Sequence, residues 1–162
     1  MAKSEVRTVS VYPFRLTTRG PEYLALHRRA GDPDFGDVWM AVHGRIEAGE
    51  TAAQAGLREV REETGLTPAS FWSLDFIEHF YVLSGDAVEL VPCFAAELDE
   101  KVILNAEHDD YRWLPLDKML KLLIWRGQRE SVQTLHEEIA QPLFEGRPIN
   151  PFLVLSLEQH RK

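Results

Sequence analysis

Three glutamates, Glu59, Glu62 and Glu63, stand out as residues that could carry out chemistry, and they lie in a stretch of helix-forming residues. On a helix they fall within about one quadrant, because positions three and four residues apart are surface neighbours. A hard divalent cation such as Mg²⁺ or Mn²⁺ prefers oxygen ligands and would offset their mutual repulsion. A solvated helix with pairs such as Arg58 and Glu62 would also explain the spacing. The three glutamates alone leave both interpretations open.

The residues around these glutamates follow a longer pattern. Gly44, Glu50, Arg58 and Gly65 are placed so that residues 44–66 read G-x5-E-x7-R-E-U-x-E-E-x-G-U, where U is an aliphatic residue. This segment resembles the box of the Nudix hydrolase family, and every fixed position matches. A chance match at nine positions has a probability below about one in a hundred million per starting point.

The resemblance implies a reaction. Nudix hydrolases cleave a diphosphate bond in a nucleoside diphosphate linked to another group, and they use Mg²⁺ or Mn²⁺ ions. Carried over by position, the implied metal ligands are Glu59, Glu62, Glu63 and the backbone carbonyl of His43. The implied catalytic residues are Glu59, Glu62 and Arg58, with Glu59 deprotonating the attacking water. The metal would lower the pKa of that water and neutralise the diphosphate oxygens.

Four box residues have implied supporting roles. Glu50 and Arg58 would brace the loop of the box against its helix, and Gly44 and Gly65 would support the shape of the box. These residues would therefore position the catalytic and metal-binding groups.

A carboxylate from a later loop often completes the metal site in this family. Glu107 is our candidate, since it immediately precedes a short strand expected near the site. Glu78 and Glu89 are rivals, although each would otherwise be a charge on the solvent face of a strand.

Candidate substrate-binding residues precede and follow the box. Arg28 and Arg29 end a strand that leads toward the site, and strand alternation predicts that only one of them points inward onto a phosphate. Phe35, Trp39 and Phe80 are candidates to stack on a base or pteridine ring, although each is equally suited to the core.

The segments around residues 24–39 and 107–114 resemble the dATP and dihydroneopterin triphosphate pyrophosphohydrolases. The leading hypothesis is therefore hydrolysis of a nucleoside or pteridine triphosphate to a monophosphate and pyrophosphate. The alternatives are an ADP-ribose or dinucleoside polyphosphate pyrophosphatase and, from another class, a non-catalytic module that senses a nucleotide.

The elements that must position these residues alternate in type. Residues 51–64 predict a helix, with Thr51 as N-cap and Gly65 at its C-terminal end. Further helices are expected at 116–124 and 126–139, and strands at 6–16, 22–29, 38–43, 71–83, 87–98 and 110–114. This order, with the resemblance, predicts an α/β fold, the Nudix α/β/α sandwich with a mixed sheet between helices.

Composition limits the possible partners. With 18 Lys and Arg against 26 Asp and Glu, the net charge of −8 disfavours nucleic acid and anionic membranes as partners. The single Cys93 excludes an internal disulfide and a multi-cysteine metal site, which is typical of a reducing compartment. Neither a signal peptide nor an apolar stretch of about 18 residues is visible, so a cytoplasmic protein is expected.

The length of 162 residues predicts one domain over 1–162. The segment 142–162 is least clear and is interpreted as an extension, with its apolar patch at 152–157 forming an extra strand or a homodimer contact.

Overall fold

The computed structural model describes residues 1–158, in which nine strands form one mixed sheet. The strands are β1 (Lys3–Glu5), β2 (Thr8–Thr17), β3 (Gly20–Arg28), β4 (Trp39–Met40), β5 (Val42–Arg45), β6 (Ser70–Val82), β7 (Ala87–Glu97), β8 (His108–Leu114) and β9 (Val154–Leu155). The helices are α1 (Ala52–Thr64), α2 (Leu116–Leu122), α3 (Arg126–Leu135) and α4 (Gln141–Phe144). A wider helical turn at His136–Ala140 joins α3 to α4.

The strands are ordered β4-β3-β2-β7-β6-β9, with β8 also paired to β3, β5 to β2 and β1 to β7. The pairs of β7 with β1 and β2 are parallel, and the other pairs are antiparallel. The predicted mixed sheet is therefore confirmed.

Each face of the sheet has its own hydrophobic core. On one face, Leu57 and Val60 of α1 pack with Val11 of β2. On the other face, Leu135 of α3 packs with Tyr12 of β2. Strand alternation supplies both cores, because successive side chains of β2 point to opposite faces. The sheet lies between helices, as the α/β/α interpretation requires.

Helix α1 begins and ends where its capping residues predict. The hydroxyl of Thr51 accepts a hydrogen bond from the backbone N–H of Gln54 at 3.2 Å, and the Gln54 side chain accepts one from the N–H of Thr51 at 2.9 Å. Gly65 ends the helix with a positive φ of 72° and donates its N–H to the Arg61 carbonyl. Both ends of the helix that carries the box glutamates are therefore fixed locally.

Besides shifts of a few residues at the ends of elements and the unpredicted β1, three element predictions differ from the structure. The strand expected at 38–43 is divided at Ala41, because β4 pairs with β3 while β5 pairs with β2. The strand expected at 110–114 already begins at His108. In the C-terminal segment as far as residue 158, a strand forms only at Val154–Leu155, paired with β6, and the homodimer contact stays a prediction. Within residues 1–158, none of the helices has the length and apolar character needed to span a membrane.

Candidate active site

A cavity of about 940 Å³ opens between the box and the β6–β7 hairpin. Residues of the box form one wall of the cavity, and aromatic and charged residues from other segments form the rest of its lining. The lining includes His43, Gly44, Glu59, Arg28, Phe35, Glu107, Phe80 and Glu89. Polar and aromatic groups thus converge on one space large enough for a nucleotide-sized ligand.

Arg58 connects the loop of the box to the helix. Its Nε and Nη2 donate to the two carboxylate oxygens of Glu50 at 2.8 and 3.0 Å, and Nη2 also donates to the Arg45 carbonyl at 2.8 Å. Its Nη1 donates to Glu59 Oε1 at 2.7 Å. The hydrogen bond from Arg58 lowers the pKa of Glu50. The guanidinium therefore holds loop, helix and Glu59 in one arrangement.

Glu59 faces the cavity and packs directly against Gly44. A Cβ on Gly44 would lie 1.9 Å from Cδ of Glu59, so only glycine fits beside this carboxylate. Burial raises the pKa of Glu59, and the Arg58 guanidinium partly opposes that rise. A carboxylate with a raised pKa that faces a cavity is suited to accept a proton near neutral pH.

Gly44→Ala is expected to lower kcat about 100-fold, since the new methyl group must displace the Glu59 carboxylate and a shift of about 1 Å can cost that much. The displaced atoms belong to a flexible side chain, so the melting temperature should change by only a few degrees. Steady-state kinetics measures kcat, and thermal unfolding measures the melting temperature. Gly85→Ala is the control, because its Cβ would meet nothing within 4 Å, and equal activity of both variants would contradict the prediction.

The three box glutamates lie in different environments, although they were expected on one face. Glu62 is 54% exposed and reaches Arg58 Nη1 at 3.3 Å. Glu63 is buried, and neither of its carboxylate oxygens has a hydrogen-bond partner among residues 1–158. Burial, with the charge of Glu59 added, raises the pKa of Glu63 well above its usual range. A buried carboxylate without partners is costly unless a cation compensates it.

Glu63, Glu107 and His108 each offer a ligand atom, and these atoms lie within 4.8 Å of one another. In the part of the chain that the structure describes, Glu59 and Glu62 do not belong to this group. The group combines two carboxylates with one imidazole, and its buried oxygens lack partners, so these residues fit a divalent cation. Glu107 and Glu63 were predicted as metal ligands from the sequence, whereas His108 was not.

His108 was missed because the register of β3 and β8 shifts between His27 and Arg28. His27 pairs with Asp110 but Arg28 pairs with His108, so Asp109 is an extra residue. In a regular strand, His108 would point away from the face that Tyr111 occupies, whereas the bulge turns it toward α1. No pattern in the sequence marks this bulge.

The ring of His43 is part of the cavity wall. Its Nδ1 lies 3.1 Å from the Ser10 hydroxyl, and its ring meets the Phe35 ring edge-on. Burial, reinforced by the positive charge of Arg28, lowers the pKa of His43 to about 4. The ring is therefore neutral near pH 7, and the metal-binding role of its carbonyl stays a prediction.

Glu78 and Glu89 are buried, so the alternative that placed them on a solvent face is wrong. Glu89 accepts hydrogen bonds from the backbone N–H and Nε of Arg7, at 2.9 and 3.0 Å, and from the Thr8 hydroxyl. Glu78 accepts from the hydroxyls of Tyr12, Ser131 and Ser10. Both carboxylates thus have partners of their own, and neither belongs to the group around Glu63.

Among the predicted substrate residues, the cavity is lined by Arg28, Phe35 and Phe80. Arg29 instead donates its Nε to the Ala106 carbonyl at 2.8 Å, so only one of the two arginines points inward, as alternation requires.

Trp39 does not line the cavity, which corrects its predicted place. It packs on the opposite face of the sheet, its ring centroid 4.9 Å from that of His27, and the Arg112 guanidinium lies over it at 4.4 Å. Trp39 pairs with His27, whose side chain faces away from α1, and this pairing accounts for its orientation.

His27 joins strand β8 to a loop beside the cavity. Its Nδ1 lies 2.5 Å from Asp109, next to His108, and its Nε2 lies 3.0 Å from Asp37, in the loop that carries Phe35. The hydrogen bond with Asp109, and then that with Asp37, raises the pKa of His27.

His27→Gln is expected to lower stability by about 1 kcal/mol near pH 6, since the imidazolium and its two carboxylates are partly solvated. Because the folded pKa is raised, this contribution is complete below the unfolded pKa and disappears as pH rises through the folded pKa. Urea unfolding at pH 6 and pH 9 should therefore show a smaller difference at pH 9. The exposed His79 provides the control His79→Gln, and a pH-independent loss for His27→Gln would refute the electrostatic origin.

The chain is similar in sequence and in fold to known proteins. The family model described as the NUDIX domain matches residues 5–135. The dihydroneopterin triphosphate diphosphatase of Escherichia coli (strain K12) is 34% identical over 124 residues, covering 68% of this chain and 79% of that protein. The solved structure of the E. coli dihydroneopterin triphosphate pyrophosphohydrolase superposes with a TM-score of 0.65 at 25% identity, covering 82% of this chain and 96% of that chain.

The octanoyltransferase of Myxococcus xanthus is 37% identical over 145 residues. That match covers 82% of this chain but 37% of the Myxococcus protein, and the chain covers 51% of another curated relative. The chain thus spans about a third to a half of the length of these two relatives.

Proposed function

The chain belongs to the Nudix family, and from that premise we propose that it hydrolyses a nucleoside or pteridine triphosphate to a monophosphate and pyrophosphate with Mg²⁺ or Mn²⁺. The observation that carries the proposal is the position of Glu59, which faces the cavity and is held there by Arg58. It lies on the same helix as Glu63, whose buried carboxylate has no hydrogen-bond partner within residues 1–158 and would favour a cation.

Glu63 and Glu107 would hold the cation. Glu59, Glu62 and the backbone carbonyl of His43 are further proposed ligands. A bound Mg²⁺ or Mn²⁺ supplies positive charge that acidifies water and neutralises phosphate oxygens. The proposed site therefore needs little covalent chemistry from the chain itself, whose main task is to position the reactants.

Glu59 is the proposed general base. Its raised pKa suits proton acceptance, and its hydrogen bond from Arg58 orients one carboxylate oxygen while the other remains available. Arg58 in turn is fixed by Glu50, so we propose that Arg58 orients the base and contributes to catalysis in that way. Gly44 keeps the space in which Glu59 lies.

Arg28 and the two cavity aromatics are the proposed substrate contacts. Arg28 donates to Glu107 at 2.9 Å and also pairs with Asp32, so it lies between the cation ligands and the open cavity, where a phosphate oxygen would meet it. Phe35 and Phe80 line the same cavity and offer aromatic faces to a base or pteridine ring. The name of the E. coli relative supports a triphosphate with such a ring as substrate.

A panel assay tests the proposal. The purified protein with Mg²⁺ is incubated separately with dATP, dihydroneopterin triphosphate, ADP-ribose and diadenosine tetraphosphate, and the products are identified by mass spectrometry. Pyrophosphate and a monophosphate from either triphosphate are expected. Preferential cleavage of ADP-ribose to AMP and ribose phosphate, or of the dinucleotide, would replace the proposed substrate. Nucleotide binding without any turnover would show a sensing module.

Four further expectations go with this proposal. We propose a cytoplasmic location without nucleic-acid partners, on the strength of the single cysteine and the acidic charge, and one domain over residues 1–162. A homodimer through the C-terminal segment is proposed as well, and light scattering after size-exclusion chromatography would detect it.

A further inference from the structure

We propose that His108 is itself a metal ligand, which makes the cation site beside Glu63 a mixed nitrogen and oxygen site that favours Mn²⁺ over Mg²⁺. The inference deepens the proposed function, since it concerns the same cation, but it depends on metal binding and not on the identity of the substrate.

The hydrogen bonds of Asn105 fix the tautomer of His108. Asn105 Oδ1 accepts the backbone N–H of Glu107 at 3.2 Å, which identifies that atom as the amide oxygen and not the nitrogen. The same oxygen lies 3.0 Å from His108 Nδ1, so Nδ1 must carry the hydrogen and donate it. In a neutral imidazole the other nitrogen, Nε2, is then an acceptor with a free lone pair.

This lone pair points at another acceptor. His108 Nε2 and both oxygens of Glu63 are buried and have no hydrogen-bond partner within residues 1–158. The separation of Nε2 from Glu63 Oε2 is 3.9 Å, too long for a hydrogen bond between them. Two buried acceptors that face each other without a proton between them are destabilising, so a positive species in the gap would stabilise the fold.

A divalent cation fits this gap in distance and in chemistry. Two ligands about 2.1 Å from one ion are between about 3.0 and 4.2 Å apart, depending on their angle at the metal. The 3.9 Å between Nε2 and Oε2 falls in this range, and Glu107 brings a further carboxylate oxygen within 4.8 Å.

The second nitrogen of His108 has the partner that metal-binding histidines need. Such histidines donate their other ring N–H to a fixed oxygen, which orients the ring and makes the ligand nitrogen more basic. Asn105 supplies that oxygen, and Arg28 pairs with the adjacent Glu107. The ring is therefore oriented before a metal binds.

A nitrogen ligand affects metal choice. Mg²⁺ favours oxygen ligands, whereas imidazole suits transition metals, so affinity for Mn²⁺ should exceed that for Mg²⁺. Without His108 the site would keep its carboxylates and bind Mg²⁺ nearly as before. The ratio of the two affinities is therefore more informative than either affinity alone.

Pulsed electron paramagnetic resonance of the protein loaded with Mn²⁺, without substrate, tests the proposal directly. The wild type should show nitrogen hyperfine coupling from an imidazole, and the coupling should disappear in His108→Gln. His43→Gln removes the one imidazole among residues 1–158 that lines the cavity and should keep the coupling. Absence of nitrogen coupling in the wild type, or its loss in His43→Gln and persistence in His108→Gln, would overturn the proposal.

Titration calorimetry with Mn²⁺ and with Mg²⁺ gives a second measurement. His108→Gln should weaken Mn²⁺ binding about 10-fold to 100-fold and Mg²⁺ binding much less. Equal loss for both ions would indicate that His108 only supports the structure. If His108→Gln does not fold, the spectrum of the wild-type protein still tests whether a histidine binds the metal. A wild-type protein that shows nitrogen coupling but no hydrolysis would contradict only the proposed function.

Discussion

Glu59→Gln is expected to lower kcat about 1000-fold, within the range typical of removing a general base. Glutamine has the same shape and can still accept the hydrogen bond that Arg58 Nη1 donates at 2.7 Å, so the loop, the helix and Gly44 keep their arrangement. What is lost is the negative charge that accepts the proton of water. Because the amide also removes the unfavourable burial of that charge, the variant should be at least as stable as the wild type.

Single-turnover kinetics with saturating metal measures the chemical step, and thermal unfolding monitors the fold. Glu47→Gln is the matched control, since Glu47 lies in the same box but its side chain is exposed. A Glu59→Gln rate within about tenfold of the wild-type rate would refute the assigned role and direct attention to Glu107 as the base.

Glu63→Gln is expected to have opposite effects on stability and on metal binding. In the metal-free protein it removes the cost that burial without hydrogen bonds imposes on the charge of Glu63, so the free energy of unfolding should rise by about 1 to 3 kcal/mol, or a few degrees in melting temperature. In the wild type, Mg²⁺ or Mn²⁺ compensates that charge and should raise the melting temperature. In the variant this metal-induced rise should largely disappear, and activity should disappear with it.

Thermal unfolding of both proteins, each with EDTA and with millimolar Mg²⁺, gives the four values needed. Glu62→Gln serves as the comparison, because Glu62 is mostly exposed and its removal should leave the metal-free stability nearly unchanged. A metal-free Glu63→Gln protein that melts below the wild type would show that the carboxylate has a stabilising partner in solution.

The helix of the box was largely predictable from sequence because its determinants are local. Thr51 and Gln54 cap its start, Gly65 ends it, and the apolar spacing of Leu57 and Val60 selects its buried face. Arg58 likewise contacts residues only eight and thirteen positions away, so its place between loop and helix could be anticipated.

The parts that were not predictable depend on distant partners. Glu89 is buried because Arg7 and Thr8, about eighty positions earlier, bind its carboxylate. Glu78 is buried because hydroxyls from β2 and α3 converge on it. No periodicity in one strand carries that information, and residue type alone favoured a solvent-exposed charge.

The extra residue at Asp109 determines how this region tolerates changes in chain length. An insertion before Asn105 would lengthen the loop between β7 and β8, at a small cost in chain entropy. Loss of Asp109 would remove the bulge and restore regular pairing, with His108 two residues before Tyr111 and therefore still on the face of α1. Homologous chains without the extra residue would therefore keep the imidazole beside Glu63 but lose the carboxylate that Asp109 offers to His27.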